Sequence, residues 1–295
     1  MVRVRMAVSL SIIIPAFNEA GRIGKTLKET FEYLASRGPD SELIVVDDGS
    51  TDETAGVVQK AFALAQRRIS SRLICIKPNR GKGAAVRAGL LDALAPVAIF
   101  LDADLSTPLD QIEKVVLPIY ANRYDVVFGS RSLDRSMIGQ RQPWLREQSG
   151  RIFNLMMKLT TGMPYVDTQC GFKAFRIGVC RPIVEGSLID RFGFDVELLY
   201  LAHQAGLRLL EQPVRWNDVE GSKVSLRAGL QGFAELRQVR RNARLGLYDA
   251  TIQRTREANA KSAAATLQPL LKTQAGNVAT ASPRGKAATA GGPGK

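Results

Sequence analysis

Two apolar runs in this sequence end in paired carboxylates. Glu42–Val46 leads into Asp47-Asp48-Gly49-Ser50, and Val97–Leu101 leads into Asp102-Ala103-Asp104. Residues i and i+2 of an extended segment point to the same side, so Asp102 and Asp104 can face one point. Hard carboxylate oxygens converging there suit Mg²⁺ or Mn²⁺. An isolated Asp-x-Asp is more often a pair of turn residues. This pair follows a buried strand, precedes a capped helix and has a second acidic strand end elsewhere in the chain, so it reads as a site. Gly81-Lys82-Gly83 lacks the upstream glycine and the Ser/Thr of a phosphate-binding P-loop. It reads instead as the opening of a helix whose N-terminus favours phosphate.

Other chemistries are excluded by what is scarce. With one histidine, His203, no mechanism built on several imidazoles is open, and His203 itself falls in a helical Leu199–Ala205 pattern that suggests packing. Cys75, Cys170 and Cys180 have no C-x-x-C spacing, which argues against a zinc site or disulfide scaffold and for reduced thiols in a cytosolic compartment.

The elements that would position the carboxylates alternate along the first half. Strand-length runs at Ser9–Ile14, Glu42–Val46, Arg72–Ile76, Val97–Leu101 and Asp125–Phe128 are separated by helix-length segments at about Glu19–Ser36, Asp52–Arg68, Gly81–Leu94 and Pro108–Asn122. Continuous Val/Ile/Leu strands alternating with helices predict an α/β fold: a mainly parallel sheet flanked by helices. In such sheets ligands sit beyond the carboxyl ends of the strands, where both acidic groups lie. Ser50 with Glu53 predicts a capping box, and Thr107-Pro108 an N-cap with proline at the first helical position. Further helices are expected at about Pro143–Thr161 and Phe194–Ala205, a strand near Arg208–Arg215, and a helix from Val224 towards Asp249.

The 295 residues carry 41 Lys+Arg against 28 Asp+Glu, a formal +13 that points to an anionic partner. From Arg237 onward eleven basic and two acidic residues leave +9, so the body holds only +4. Leu236, Val239, Ala243 and Leu247 follow helical spacing while Arg237, Arg240, Arg241 and Arg244 cluster on the neighbouring face, the pattern of a helix lying on an anionic membrane surface. The chain divides into a catalytic domain over 1–222, this basic helical segment over 223–258, and an Ala/Lys/Gly/Pro-rich tail over 259–295 expected to be disordered. No run approaches the roughly 18 apolar residues of a membrane-crossing helix. Localisation is therefore expected to be cytoplasmic, peripheral on the cytoplasmic membrane face. Nucleic acid is not expected as a partner, because no recognition motif or interleaved aromatic pattern accompanies the charge.

Five strings occur in order: Pro15-Ala-Phe-Asn-Glu19, Val45-Val-Asp-Asp-Gly-Ser-Thr-Asp52, Asn79-Arg-Gly-Lys-Gly83, Asp102-Ala-Asp104 and Gly129-Ser-Arg131. With them the chain resembles the family 2 inverting glycosyltransferases of GT-A fold. Asp167-Thr-Gln-Cys-Gly-Phe-Lys173, Phe194-Asp-Val-Glu-Leu-Leu-Tyr200 and Trp216-Asn-Asp-Val-Glu-Gly-Ser-Lys223 make it similar to the dolichyl-phosphate β-glucosyltransferase branch, which is related to the dolichyl-phosphate mannose synthases. The resemblance covers about Ser9 to Asp249.

The resemblance implies a nucleotide-sugar site. Pro15, Phe17, Glu19, Val45 and Asp47 would line the nucleoside pocket with Asp48 in support, and Lys82 would stand near the donor phosphates. Asp102, Ala103 and Asp104 would hold the diphosphate and a Mg²⁺ or Mn²⁺, and Arg131 and Lys223 would contact phosphate or sugar. Arg146, Lys173 and Lys223, with Arg131, are candidates for the acceptor phosphate. Asp167 would act as a base or orient a cation. The implied reaction moves glucose from UDP-glucose to a polyprenyl or dolichyl phosphate. GDP-mannose as donor, and a non-catalytic nucleotide-sugar or nucleic-acid-binding protein, stay open as alternatives. Cys170 reads as buried rather than nucleophilic, and Trp144 and Trp216 as core or sugar-capping residues with equal weight.

Overall fold

The computed structural model describes residues 8–37, 40–65, 69–140, 155–218 and 226–279. The strands are β1 (Leu10–Ala16), β2 (Ser41–Asp47), β3 (Ser70–Cys75), β4 (Val97–Leu101), β5 (Val126–Ser130), β6 (Ile138–Gln140), β7 (Phe172–Arg176), β8 (Leu209–Pro213) and β9 (Trp216–Asn217). The helices are α1 (Ile23–Arg37), α2 (Thr54–Leu64), α3 (Lys82–Asp92), α4 (Ile112–Tyr120), α5 (155–161 in its described part), α6 (Ile177–Glu185), α7 (Phe194–Gln204), α8 (Leu226–Arg244) and α9 (Asp249–Ala279).

Every residue of β1, β2 and β4 is buried, so side chains of both parities need cover. The pleat sorts them into two cores. Ile13, Ile44, Val46 and Phe100 pack with α3, α6, α7 and the inner face of α8. Ile12, Ile14, Leu43, Val45 and Ile99 pack with α1, α2 and α4 on the opposite side. The resulting seven-stranded sheet has the order β3-β2-β1-β4-β7-β5-β8, with β6 and β9 forming a separate pair. Its strands run parallel except β7, which is antiparallel to both β4 and β5. This agrees with the GT-A arrangement that the resemblance implies.

Three expectations need correction. The sequence reading places no strand at β7 and no helix at α6. A lysine at the centre of Phe-Lys-Ala-Phe-Arg hides the strand, and Gly178 and Pro182 interrupt the helical pattern. The Ser50–Glu53 capping box is absent: Ser50 Oγ turns to Asp47, and Asp52 Oδ1 takes the Thr54 N–H at 3.0 Å. The tail expected to lose order at Asn259 is helical as far as Ala279. Alanine, lysine, glutamine and leucine have high intrinsic helix propensity even where they build no core, and α9 is anchored at its start by the buried Tyr248, Thr251 and Thr255. Residues 280–295, and the division expected at 222, lie outside the described residues.

Leu236 and Val239 on α8 are buried whereas Arg237, Arg240, Arg241 and Arg244 are exposed, as the spacing predicts. Among the described residues no helix is long and apolar enough to cross a membrane.

Candidate active site

Strand register assembles the site. Leu101 pairs with Phe172 and Phe128 with Lys173, so the ends of β4 and β5 meet the start of antiparallel β7. Asp102 therefore lies against Gly171. A Cβ at Gly171 would overlap the Asp102 carboxylate, so only glycine allows this approach. Gly171→Ala is expected to displace Asp102 and lower turnover on the order of 10²-fold, the scale of a roughly 1 Å misplacement, while the melting temperature stays close to that of the parent. Unchanged turnover would show that the Asp102 position is not critical.

Beyond the strand ends, carboxylates and cations alternate. Lys82, first residue of α3, pairs with Asp102 at 2.5 Å. Gly81 just before it has φ 121° and sits against the Asp190 carbonyl, a close approach that again requires glycine. Burial alone would lower the Lys82 ammonium, but Asp102, Asp195 and Asp104 outweigh it and push it up to about 12, so the side chain is a fixed cation at neutral pH. Fully buried Lys173 donates to Asp195 Oδ1 at 2.5 Å and to the Cys170 carbonyl at 2.6 Å.

Arg131 closes the other side. Its Nε and Nη2 donate to the two oxygens of buried Asp167 at 2.7 and 2.8 Å, and its backbone N–H adds a third bond at 2.9 Å. The guanidinium lies 5.6 Å from the centre of the Trp216 ring. Burial opposes ionisation of Asp167, but Arg131 overrides it and holds the carboxyl below the ordinary carboxylate range. Glu211 of β8 accepts the N–H groups of Val166 and Asp167 at 2.9 and 2.7 Å, fixing the backbone behind the pair.

The β1, β2 and β3 ends form the opposite wall. Asn18, with φ 54°, receives the Thr51 N–H on its side chain at 2.8 Å, and its own N–H reaches Ser50 Oγ at 2.9 Å. Glu19 receives both arms of Arg22 and donates its N–H to Thr54 Oγ1 at 2.7 Å. Asp48 accepts from Asn79 Nδ2 at 2.8 Å and from the N–H groups of Arg80 and Gly81 at 3.0 and 2.6 Å. Asp48 thus ties the β2 end to the segment entering α3. Burial pushes its carboxyl up, against those backbone bonds.

The structure brings Glu19, Asp47, Asp48, Lys82, Asp102, Asp104, Arg131 and Asp167 to the carboxyl side of the sheet. Phe17 is 39% exposed there. Pro15 is buried within β1, and Val45 lies in the core between the sheet and α1, so their side chains serve packing. Lys173, expected at an acceptor phosphate, is instead buried and committed to Asp195, because a strand-centre cation must find a partner inside. Arg146, Lys223 and Trp144 lie outside the described residues. Cys170 is buried and its thiol is pushed up to about 12 by burial, which suits no nucleophile. His203 packs edge-on against Tyr165, away from the carboxylates. The sequence reading missed Asn79, Gly171, Asp195 and Glu211. The signal for Asp195 and Glu211 is an acidic residue inside an apolar helix start and an apolar strand.

Asp102 and Asp104 could hold a divalent cation. One oxygen of Asp104 takes the Ser106 N–H at 2.9 Å, which orients the carboxylate. No group of three or more Asp, Glu, His or Cys converges among the described residues. Two hard carboxylates fit an ion whose remaining ligands come from phosphate oxygens and water, the usual habit of Mg²⁺ at phosphate sites.

Comparison with known proteins bears on the family and the fold. Residues 11–183 match the family described as Glycosyl transferase family 2. A dolichyl-phosphate beta-glucosyltransferase of Trichomonas vaginalis is 32% identical over 250 residues, 82% of this chain and 76% of the relative. The Homo sapiens protein of that description is 33% identical over 228 residues, covering 73% and 69%. Among solved structures, glucosyl-3-phosphoglycerate synthase from Mycobacterium tuberculosis, in complex with Mn²⁺, UDP-glucose and phosphoglyceric acid, superposes with a TM-score of 0.58 at 17% identity over 79% of each chain. The fold is thus GT-A-like, and the chain belongs to glycosyl transferase family 2, alongside the dolichyl-phosphate beta-glucosyltransferases.

Proposed function

We propose that this glycosyltransferase moves glucose from UDP-glucose to a dolichyl or polyprenyl phosphate with inversion, giving a β-linked lipid-phosphate sugar. The observation that carries the reading is the alternation of Lys82, Asp102, Arg131 and Asp167 along the strand ends, in a chain whose relatives bear the name of that reaction.

Breaking the glycosidic bond leaves negative charge on the departing diphosphate, and fixed cations aimed at that charge lower the barrier. Lys82 and Arg131 are such cations, each anchored by a carboxylate. A Mg²⁺ or Mn²⁺ held by Asp102 and Asp104 would neutralise charge on the same diphosphate. The acceptor needs little activation: a phosphate monoester has its second pKa near ~6 and is mostly dianionic at neutral pH. Its oxygen attacks the anomeric carbon opposite the leaving group, and no side chain has to remove a proton. Asp167 suits this scheme as the residue that orients Arg131, since a carboxylate held below its ordinary range is a weak base. Arg146 and Lys223 stay assigned to phosphate through the resemblance. A lipid acceptor places the enzyme on a membrane surface, the cytoplasmic face in this reading, through the exposed arginines of α8.

A donor panel against one defined polyprenyl phosphate in detergent tests the sugar assignment. UDP-glucose is expected to give the fastest transfer; faster transfer from GDP-mannose would reassign the donor.

A further inference from the structure

Between α5, α7 and α8 lies a cleft of about 290 Å³. Arg240 and Arg244, one turn apart on α8, line one side, and Thr160, Thr161 and Tyr200 line the other. Val239 and Ala243 supply apolar lining. The lining holds two cations and no anion. The adjoining residues have the opposite character: Leu159 next to Thr160 is 74% exposed, Leu155 one turn earlier 58%, and Leu245 next to Arg244 61%. These three exposed aliphatic side chains stand within one residue or about one turn, in sequence, of residues that line the basic cleft. Exposed leucines near a cleft lined by arginines and hydroxyl-bearing residues suit a bilayer surface, where acyl chains lie beside phosphates.

We propose that this cleft seats the phosphate of an anionic phospholipid headgroup, with Leu155, Leu159 and Leu245 entering the acyl boundary around it. The cleft is distinct from the strand-end site, which is built from other residues. It would hold the enzyme on the leaflet that carries its acceptor. The inference rests on the reading of the acceptor as a lipid phosphate, yet its test uses no nucleotide sugar, so the two fail separately.

The test is flotation of the full chain with phosphatidylcholine vesicles that contain or lack phosphatidylglycerol. The parent is expected to float with the anionic vesicles alone. A cation near an anionic surface contributes about 1 kcal/mol, so Arg240→Gln with Arg244→Gln should weaken binding about 25-fold. Arg237→Gln with Arg241→Gln removes equal charge from the same helix but lies outside the cleft, away from the seated phosphate, and should cost clearly less. Leu155→Ser with Leu159→Ser should abolish the binding that survives high salt. All six side chains are exposed, and an unchanged melting temperature confirms that the variants fold. Equal losses from both arginine pairs would overturn the cleft in favour of general surface charge. Release of the protein from vesicles by inorganic phosphate would mark a soluble-anion site, and failure of the parent to float would overturn the lipid assignment outright.

Discussion

Asp104→Ala is expected to lower sugar transfer by on the order of 10²–10³-fold, the scale seen when one preorganised group facing transition-state charge is lost. Asp104 stands two residues beyond Asp102 at the end of β4, and its carboxylate is oriented by the Ser106 N–H. Its removal takes away one of the two carboxylates proposed to hold a divalent cation at the diphosphate. The fold should survive, because Asp104 makes no buried ion pair with Lys82, Lys173 or Arg131, whose partners are Asp102, Asp195 and Asp167. Nucleotide-sugar binding should weaken less than turnover. Steady-state rates and donor affinity measured on the same preparation check this, and turnover equal to the parent would remove Asp104 from the mechanism.

Asp167→Ala has the second large effect, and it combines stability with activity. It leaves the Arg131 guanidinium without the carboxylate that takes two of its donors, beside the buried Trp216 ring. Removing one partner of a buried pair costs about 3–5 kcal/mol; with Arg131 still partly exposed, the lower end is expected. At 2–4 °C per kcal/mol that is a melting temperature lower by roughly 6–12 °C. The pH dependence has a definite sign. The Asp167 carboxyl is lowered on folding, so its contribution is fully present above the unfolded value of about 3.9 and is lost as pH falls through the lower folded value. The parent should therefore lose stability more steeply than Asp167→Asn as the solution is acidified below about pH 4. Parallel acid-unfolding curves, or no change in melting temperature for Asp167→Ala, would show that the pair contributes nothing.

What could be read before the fold was known follows from how local the signals are. The parallel strands are runs of Val, Ile and Leu, each buried on both faces, and such runs announce themselves. Asp102 and Asp104 share a strand end, so their convergence is fixed by the two-residue pleat alone. Asp195 is different. It reaches the site because α7 starts beside Lys82 and because Lys173 points inward from β7, a tertiary relation with no counterpart in local spacing. Lys173 misled for the same reason: a lysine within a matched string suggests a phosphate contact, but its place at the centre of an interior strand forces it to pair with a buried carboxylate. Gly171 carries no side-chain signal at all, and only the register of β4 against β7 shows why a methyl cannot be tolerated there. The helix over 259–279 was hidden by composition, which reports the lack of a core more faithfully than the lack of a helix.

The most direct test of the account is incorporation of radiolabelled glucose from UDP-glucose into a solvent-extractable polyprenyl phosphate product by the full chain. Transfer is expected in the presence of Mg²⁺ or Mn²⁺, with abolition by EDTA and loss in Asp104→Ala. Absence of EDTA-sensitive transfer to the lipid phosphate from any common nucleotide sugar would contradict it.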